Sequence, residues 1–158
     1  MAQQAEERKR DPEADHPQTD YLQREFQRVI PRIRVLVVEP HAAVCHALAS
    51  LVASQDDMIL VGAVASYEEA LQVCAQTDPD VILIAITANG NSAAPTLRAI
   101  LDTWSSIRIL GMSSFQEEDY IPGVLQAGAV GYLLKNVTGE ELVSSIRRAY
   151  VTVTPPAA

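Results

Sequence analysis

Short apolar runs alternate with segments of helical periodicity from residue 33 onward. A run rich in β-branched residues that ends at turn-forming residues predicts a buried strand. Five such runs occupy residues 33–38, 58–64, 81–86, 107–112 and 130–134. Between and after them, apolar residues recur at three- and four-residue spacing, which predicts helices. These helices cover about 41–54, 68–76, 97–104, 117–127 and 138–150.

Strands that alternate with helices predict right-handed crossovers and a parallel sheet, with helices on both of its faces. The run at 81–86 is wholly apolar, which indicates a strand covered on both sides. We therefore expect an α/β, flavodoxin-like doubly wound (βα)5 domain with a five-stranded parallel sheet of strand order 2-1-3-4-5. In such folds the functional site lies at the carboxyl ends of the strands.

The composition changes on either side of this pattern. Residues 1–19 are polar and predict a disordered tail. Residues 20–31 predict a short amphipathic helix, which either packs on its own domain or serves as a docking or dimerising helix. The domain then spans 33–150, and 151–158 predicts a tail or the start of a linker. The helix carries one apolar stripe, composed of Leu22, Phe26, Val29 and Ile30.

Charge and cysteine content narrow the class of protein. The net charge is −8, and residues 33–158 hold thirteen acidic and six basic side chains, a net of −7. An acidic domain argues against direct nucleic-acid binding. Cys45 and Cys74 are too few for a disulfide framework, which favours a reduced, cytoplasmic setting. Because the sequence has neither a long apolar run nor an apolar signal region, we expect no membrane association.

Two interruptions of the pattern bear on the fourth helix and on the third strand. Pro122 and Gly123 lie inside the fourth predicted helix. Proline breaks a helix interior, so this helix either begins near Ile121 or has a frayed first turn. Asn89 and Gly90 follow the third strand and predict a tight turn rather than a phosphate cradle.

Four stretches carry a resemblance to a known family: IRVLVVEPH at 33–41, PDVILIAI at 79–86, RILGMSS at 108–114 and AGAVGYLLKN at 127–136. Together they resemble the response-regulator receiver domain, specifically its LuxR-type (NarL/FixJ) branch, over roughly three-quarters of the chain. The last stretch is the most specific. The resemblance implies a signalling module rather than an enzyme.

A receiver of this family uses two acidic residues after strand 1, an aspartate at the end of strand 3, a hydroxyl after strand 4 and a lysine after strand 5. Carboxylates hold Mg²⁺, the aspartate accepts a phosphoryl group, and the hydroxyl and lysine neutralise it. The resemblance places Glu39, Pro40, Ala85, Ser113 and Lys135 at these positions. It therefore implies a degenerate, aspartate-less phosphorylation pocket, with no catalytic residue, cofactor or metal ion.

The residues themselves support this alignment, because no Asp or Glu lies between positions 81 and 101 to replace Ala85. Ala85 is either a natural loss or an engineered replacement, and Pro40 favours the former. For the retained residues we expect an ion pair between Lys135 and Glu39 and a backbone hydrogen bond from Ser113. Tyr132 falls at the family's switch-aromatic position, and without a phosphoryl group we expect it to be fixed.

Three functions remain open at this stage. The first is a phosphorylation-independent signalling module that acts through protein contact or dimerisation. The second is a pseudo-receiver that senses a small ligand in the vacated pocket. The third, a receiver phosphorylated at another residue such as Ser113, is disfavoured by the missing metal ligand.

The resemblance also implies partners. LuxR-type receivers usually precede a DNA-binding domain, so the chain is either the receiver of a transcription factor or a stand-alone adaptor. We expect a homodimer or a partner protein on the face formed by helix 4, strand 5 and helix 5. This face offers charged and apolar candidates: Glu118, Asp119, Tyr120, Val124, Arg147, Arg148 and Tyr150.

Overall fold

The computed structural model describes residues 32–152, apart from the side chains of Phe115 and Gln116. The predictions made for residues 1–31 and 153–158, including the amphipathic helix, lie outside the described residues. None of the helices between residues 32 and 152 is long and apolar enough to cross a membrane.

A five-stranded parallel sheet forms the centre of the domain, in the predicted strand order β2-β1-β3-β4-β5. The flavodoxin-like prediction is thus confirmed. Each strand coincides with a predicted apolar run to within one or two residues. The strands are β1 (Ile33–Val38), β2 (Met58–Val64), β3 (Val81–Ala85), β4 (Arg108–Ser113) and β5 (Gly131–Leu134).

Helices connect the strands, and two of them begin at polar residues that the sequence offers as caps. The Ser66 hydroxyl accepts a hydrogen bond from the backbone N–H of Glu69, and the Thr138 hydroxyl accepts one from Glu141. These bonds satisfy donors that a helix start leaves unpaired. The helices are α1 (Ala42–Ala53), α2 (Tyr67–Thr77), α3 (Ala94–Thr103), α4 (Ile121–Gln126) and α5 (Gly139–Val151).

Both faces of the sheet are buried under helices. Successive side chains of a strand point to opposite faces, so each strand contributes to both clusters. In β3, Ile82 and Ile84 pack into the cluster under α2, α3 and α4. Val81 and Leu83 pack into the opposite cluster under α1 and α5. The central strand thus has no polar face, as its unbroken apolar sequence indicates.

The fourth helical segment is divided by its proline. Residues Phe115–Tyr120 form a 3₁₀ helix, and the α-helix begins only at Ile121. Pro122 has no N–H to donate to the carbonyl four residues earlier, and it is tolerated in the first turn of a helix. The prediction of one helix over 117–127 is therefore wrong, and the alternative of a start near Ile121 is confirmed.

Two tight turns require backbone conformations that the sequence marks. Asn89 and Gly90 have φ values of 53° and 79° and join a two-residue hairpin, Thr87–Ala88 with Asn91–Ser92. Positive φ at both central residues is typical of a hairpin turn, as the Asn-Gly pair predicts. Gly128 ends α4 with a φ of 115°, a conformation that glycine adopts readily.

Candidate functional site

The register of the sheet brings the candidate residues to one edge. Ala85 pairs with Met112 across β3 and β4, and Ser113 pairs with Leu134 across β4 and β5. The backbone N–H of Lys135 donates to the Ser113 carbonyl at 2.8 Å. Residues from distant parts of the sequence therefore meet at the carboxyl ends of the strands, where doubly wound folds place their sites.

Glu39 and Lys135 form the expected ion pair across this edge. Lys135 Nζ lies 3.1 Å from Glu39 Oε2 and donates a longer hydrogen bond of 3.4 Å to Oε1. The contact between Lys135 Nζ and Glu39 Oε2 does not have hydrogen-bond geometry. The backbone N–H of His41 donates to Oε1 at 3.0 Å. Glu39 is only 1% exposed, while the Lys135 side chain is 26% exposed. The charge of the buried carboxylate is therefore balanced by a partly solvated ammonium group.

Ser113 differs from expectation. Its side chain is fully buried, yet its hydroxyl has no hydrogen-bond partner among the residues that the structure describes. The prediction of a bond to the backbone is therefore wrong. The Ser113 carbonyl accepts from the backbone N–H of Lys135, and the residue lines a small cavity. That cavity, of about 120 Å³, is lined by Ser113, Ser114, Leu134, Lys135 and Asn136.

Ala85 ends β3 and is fully buried. Its carbonyl accepts a hydrogen bond from the Tyr67 hydroxyl at 2.8 Å. Burial raises the pKa of Tyr67, and the carboxylates of Glu117 and Glu39 raise that pKa further. The phenol therefore remains a proton donor at neutral pH. Pro40 is exposed and brings no side-chain oxygen to this edge.

Glu117 also lies at this edge, although the sequence interpretation did not assign it to the phosphorylation pocket. Its Oε1 accepts a hydrogen bond from the Thr87 hydroxyl at 2.7 Å, and its Oε2 accepts one from the backbone N–H of Ser114 at 3.0 Å. A serine followed three residues later by a glutamate is the capping-box pattern, so the contact with Ser114 was available as a signal. The contact with Thr87 was not, because the two residues lie 30 positions apart.

The β5 side of the domain carries part of the predicted interface. Tyr132 is 47% exposed, and Tyr120 and Leu125 are also exposed. Arg148 and Tyr132 line one cavity of about 200 Å³. Glu118 and Asp119 are exposed on the 3₁₀ helix. We call this surface, composed of Glu118, Asp119, Tyr120, Leu125, Tyr132 and Arg148, the β5 face.

Three predicted members of the interface are placed differently from the residues of the β5 face. Val124 is fully buried in the core, so it offers no contact surface. Tyr150 is half-buried, with the Arg108 guanidinium 5.7 Å from its ring centroid. Arg147 and Arg148 are neighbours on α5, and successive helical residues point about 100° apart. Arg147 therefore faces away from Arg148, toward Asp57 at the start of β2.

Arg147 and Asp57 form an ion pair of 2.7 Å between Nε and Oδ2, and a second bond joins Nη2 to Oδ1 at 3.1 Å. The hydrogen bond from Arg147 lowers the pKa of Asp57. A lowered carboxyl pKa stabilises the fold at neutral pH, and the contribution is lost as the pH falls through the lowered pKa. The side chains are 46% and 39% exposed, so this contribution is small.

Comparison with known proteins agrees with the fold. A family model for the response regulator receiver domain matches residues 35–147. The chain therefore belongs to the response-regulator receiver family, and within it to the NarL/LuxR-type branch. Receivers of this family are generally signalling modules rather than enzymes.

Curated relatives include the oxygen regulatory protein NreC of Staphylococcus carnosus and the transcriptional regulatory protein LiaR of Bacillus subtilis. NreC is 31% identical over 75% of this chain and 55% of its own length. LiaR is 31% identical over 74% of this chain and 56% of its own length. The chain thus spans about half the length of these relatives.

A similar solved structure is the signal receiver domain of the response regulator NarL from Mycobacterium tuberculosis. It superposes with a TM-score of 0.69 at 25% identity. The match covers 76% of this chain and 97% of that domain.

Proposed function

We propose that this chain is a LuxR-type receiver that signals without being phosphorylated. The observation that carries the proposal is the fully buried methyl side chain of Ala85 at the end of β3, where the family resemblance places the phospho-accepting aspartate. A methyl group has no lone pair with which to attack phosphorus. Pro40 removes a second oxygen ligand, and the remaining carboxylate, Glu39, is held by Lys135.

The β5 face supports an output through protein contact. It combines exposed aromatic and aliphatic side chains, Tyr132 and Leu125, with acidic residues on the 3₁₀ helix and Arg148 on α5. A two-fold contact is self-complementary. The acidic Glu118 and Asp119 of one subunit would then oppose Arg148 of the other. We infer that the signalling form is a homodimer through this face, and that its formation needs no phosphate.

We expect Arg148→Glu to weaken this dimer by roughly tenfold or more, because it places like charges across the interface. Light scattering over a concentration series measures the effect. Arg98→Glu is the matched control, since it makes the same charge change at an exposed position of α3. Deleting residues 1–30 should leave the dimer intact. Dimers that survive Arg148→Glu but not the deletion would move the interface to the N-terminal segment.

The relatives suggest the setting of this module. NreC and LiaR carry names that describe regulatory proteins, and this chain matches about half of each. We propose that it is the receiver part of a cytoplasmic transcription regulator, with a stand-alone adaptor as the alternative. A basic helix-turn-helix segment encoded after residue 158 would support the first arrangement.

A second function, the sensing of a small ligand, is favoured by Ser113. A buried hydroxyl without a partner costs about 1–3 kcal/mol, and here it borders the 120 Å³ cavity beside Lys135. A small anion that accepts from both groups would remove this cost. Titration with inorganic phosphate, acetate or other small carboxylates should then raise the melting temperature, and Ser113→Ala should abolish the rise. If none of these anions raises the melting temperature, signalling through protein contact remains as the only proposed function.

A further inference from the structure

The carboxylate of Glu117 joins the two loops that follow β3 and β4. Thr87 lies two residues after the end of β3, and its hydroxyl donates to Oε1 at 2.7 Å. Glu117 itself belongs to the 3₁₀ helix after β4 and accepts the Ser114 N–H on its other oxygen. Both side chains are half-buried. Hydrogen bonds to an ionised acceptor are about twice as strong as neutral ones.

The start of α2 is also hydrogen-bonded to this edge of the sheet. Tyr67, at the start of α2, donates from its hydroxyl to the Ala85 carbonyl. The end of β3 is thus held from one side by Tyr67 and, two residues further on, by Glu117. Each of these bonds uses a side chain of this chain, and none of them involves Ser113 or Lys135.

The segment that Glu117 holds has little stability of its own. A 3₁₀ helix has poorer hydrogen-bond geometry than an α-helix, and Pro122 removes one backbone donor just beyond it. Its acidic residues Glu118 and Asp119 are exposed, and their side chains make no hydrogen bond or ion pair in the described part of the chain. Ile121 packs against the core at the end of this segment. Before that point, the bond from Thr87 to Glu117 is the long-range side-chain hydrogen bond that the described residues of the segment make.

We propose that Glu117 is an internal tether that fixes the segment 114–121 against the loop after β3 in the absence of any phosphoryl group. The tether places Glu118, Asp119 and Tyr120 for the β5 face. The use of that arrangement for signalling rests on the proposed function, whereas the tether itself does not.

Amide hydrogen exchange of the full chain tests the tether directly. Thr87→Val removes the donor and keeps the branched shape, and Glu117→Gln removes the charge and one acceptor. We expect each change to speed exchange of the Ser114, Glu117 and Ile121 amides by roughly tenfold. The double variant should exchange no faster than the quicker single variant, because both break one contact. Adding acetyl phosphate with Mg²⁺ should change none of these rates.

Glu118→Gln is the matched control, since it removes the same charge from the neighbouring residue, and its rates should equal those of the wild type. Amides of β3 report global unfolding and should be unaffected in every variant. Rates in Thr87→Val and Glu117→Gln that match the Glu118→Gln control would overturn the tether. Because exchange reports on the loop itself, a chain found to be monomeric would overturn the proposed output and leave this result standing.

Discussion

Pro40→Asp together with Ala85→Asp should give a chain that reacts with acetyl phosphate in the presence of Mg²⁺, whereas Ala85→Asp alone should react at least roughly a hundredfold more slowly. The single change supplies a nucleophile. It leaves the metal with Glu39 as the only carboxylate after β1, and that carboxylate is held by Lys135 and the His41 N–H. Mg²⁺ prefers several hard oxygen ligands, so the second aspartate is needed. The rate of gain of phosphoryl mass measures the difference.

The matched control for this experiment is Pro40→Ala with Ala85→Asp. It removes the constraint of the proline ring without adding an oxygen ligand, so it should behave as the Ala85→Asp single variant does. If either variant without the Pro40→Asp change reacts as fast as the double aspartate variant, the account of the missing metal ligand is wrong.

Lys135→Met should lower the free energy of unfolding by about 2 kcal/mol, a value below that of a fully buried pair because the lysine is partly solvated. The change leaves the Glu39 carboxylate buried with no counter-ion. In Glu39→Gln with Lys135→Met the orphaned charge is gone, and the His41 N–H can still donate to the amide oxygen. We expect the double variant to recover most of the loss.

Urea unfolding measures this effect, and the change should appear in the midpoint with the slope unchanged. Asp57→Asn with Arg147→Met gives a comparison at an exposed ion pair, where the expected loss is below about 1 kcal/mol. A Lys135→Met chain as stable as the wild type would show that the Glu39–Lys135 pair does not stabilise the fold.

Most of the fold was predictable because each strand is an apolar run with a clear end. The run at 81–86 has no polar residue, so it had to be central, and its neighbours in the sheet follow from the strand order of doubly wound folds. The meeting of Glu39, Ser113 and Lys135 at one edge follows from the same rule, since each lies at or directly after the carboxyl end of a parallel strand. The sequence left two possible starts for α4. In the structure the helix begins at Ile121, with Pro122 in its first turn.

What the sequence did not predict depends on the packing of long-range neighbours. The bond between Thr87 and Glu117 joins loops that share no local pattern. The burial of Val124 depends on how α4 lies on the sheet. The separation of Arg147 from Arg148 follows from helical geometry and could have been foreseen, but the partner of Arg147 could not. Ser113 was expected to bond to the backbone, but its hydroxyl has no partner among the described residues.

The central claim, that this receiver works without phosphorylation, is tested most directly by the intact mass of the wild-type chain after incubation with acetyl phosphate and Mg²⁺. The Pro40→Asp, Ala85→Asp variant, treated in parallel, shows that the conditions support the reaction. We predict that the wild-type mass stays unchanged, because Ala85 offers no nucleophile at the end of β3. A gain of one phosphoryl group on any residue of this edge would contradict the claim.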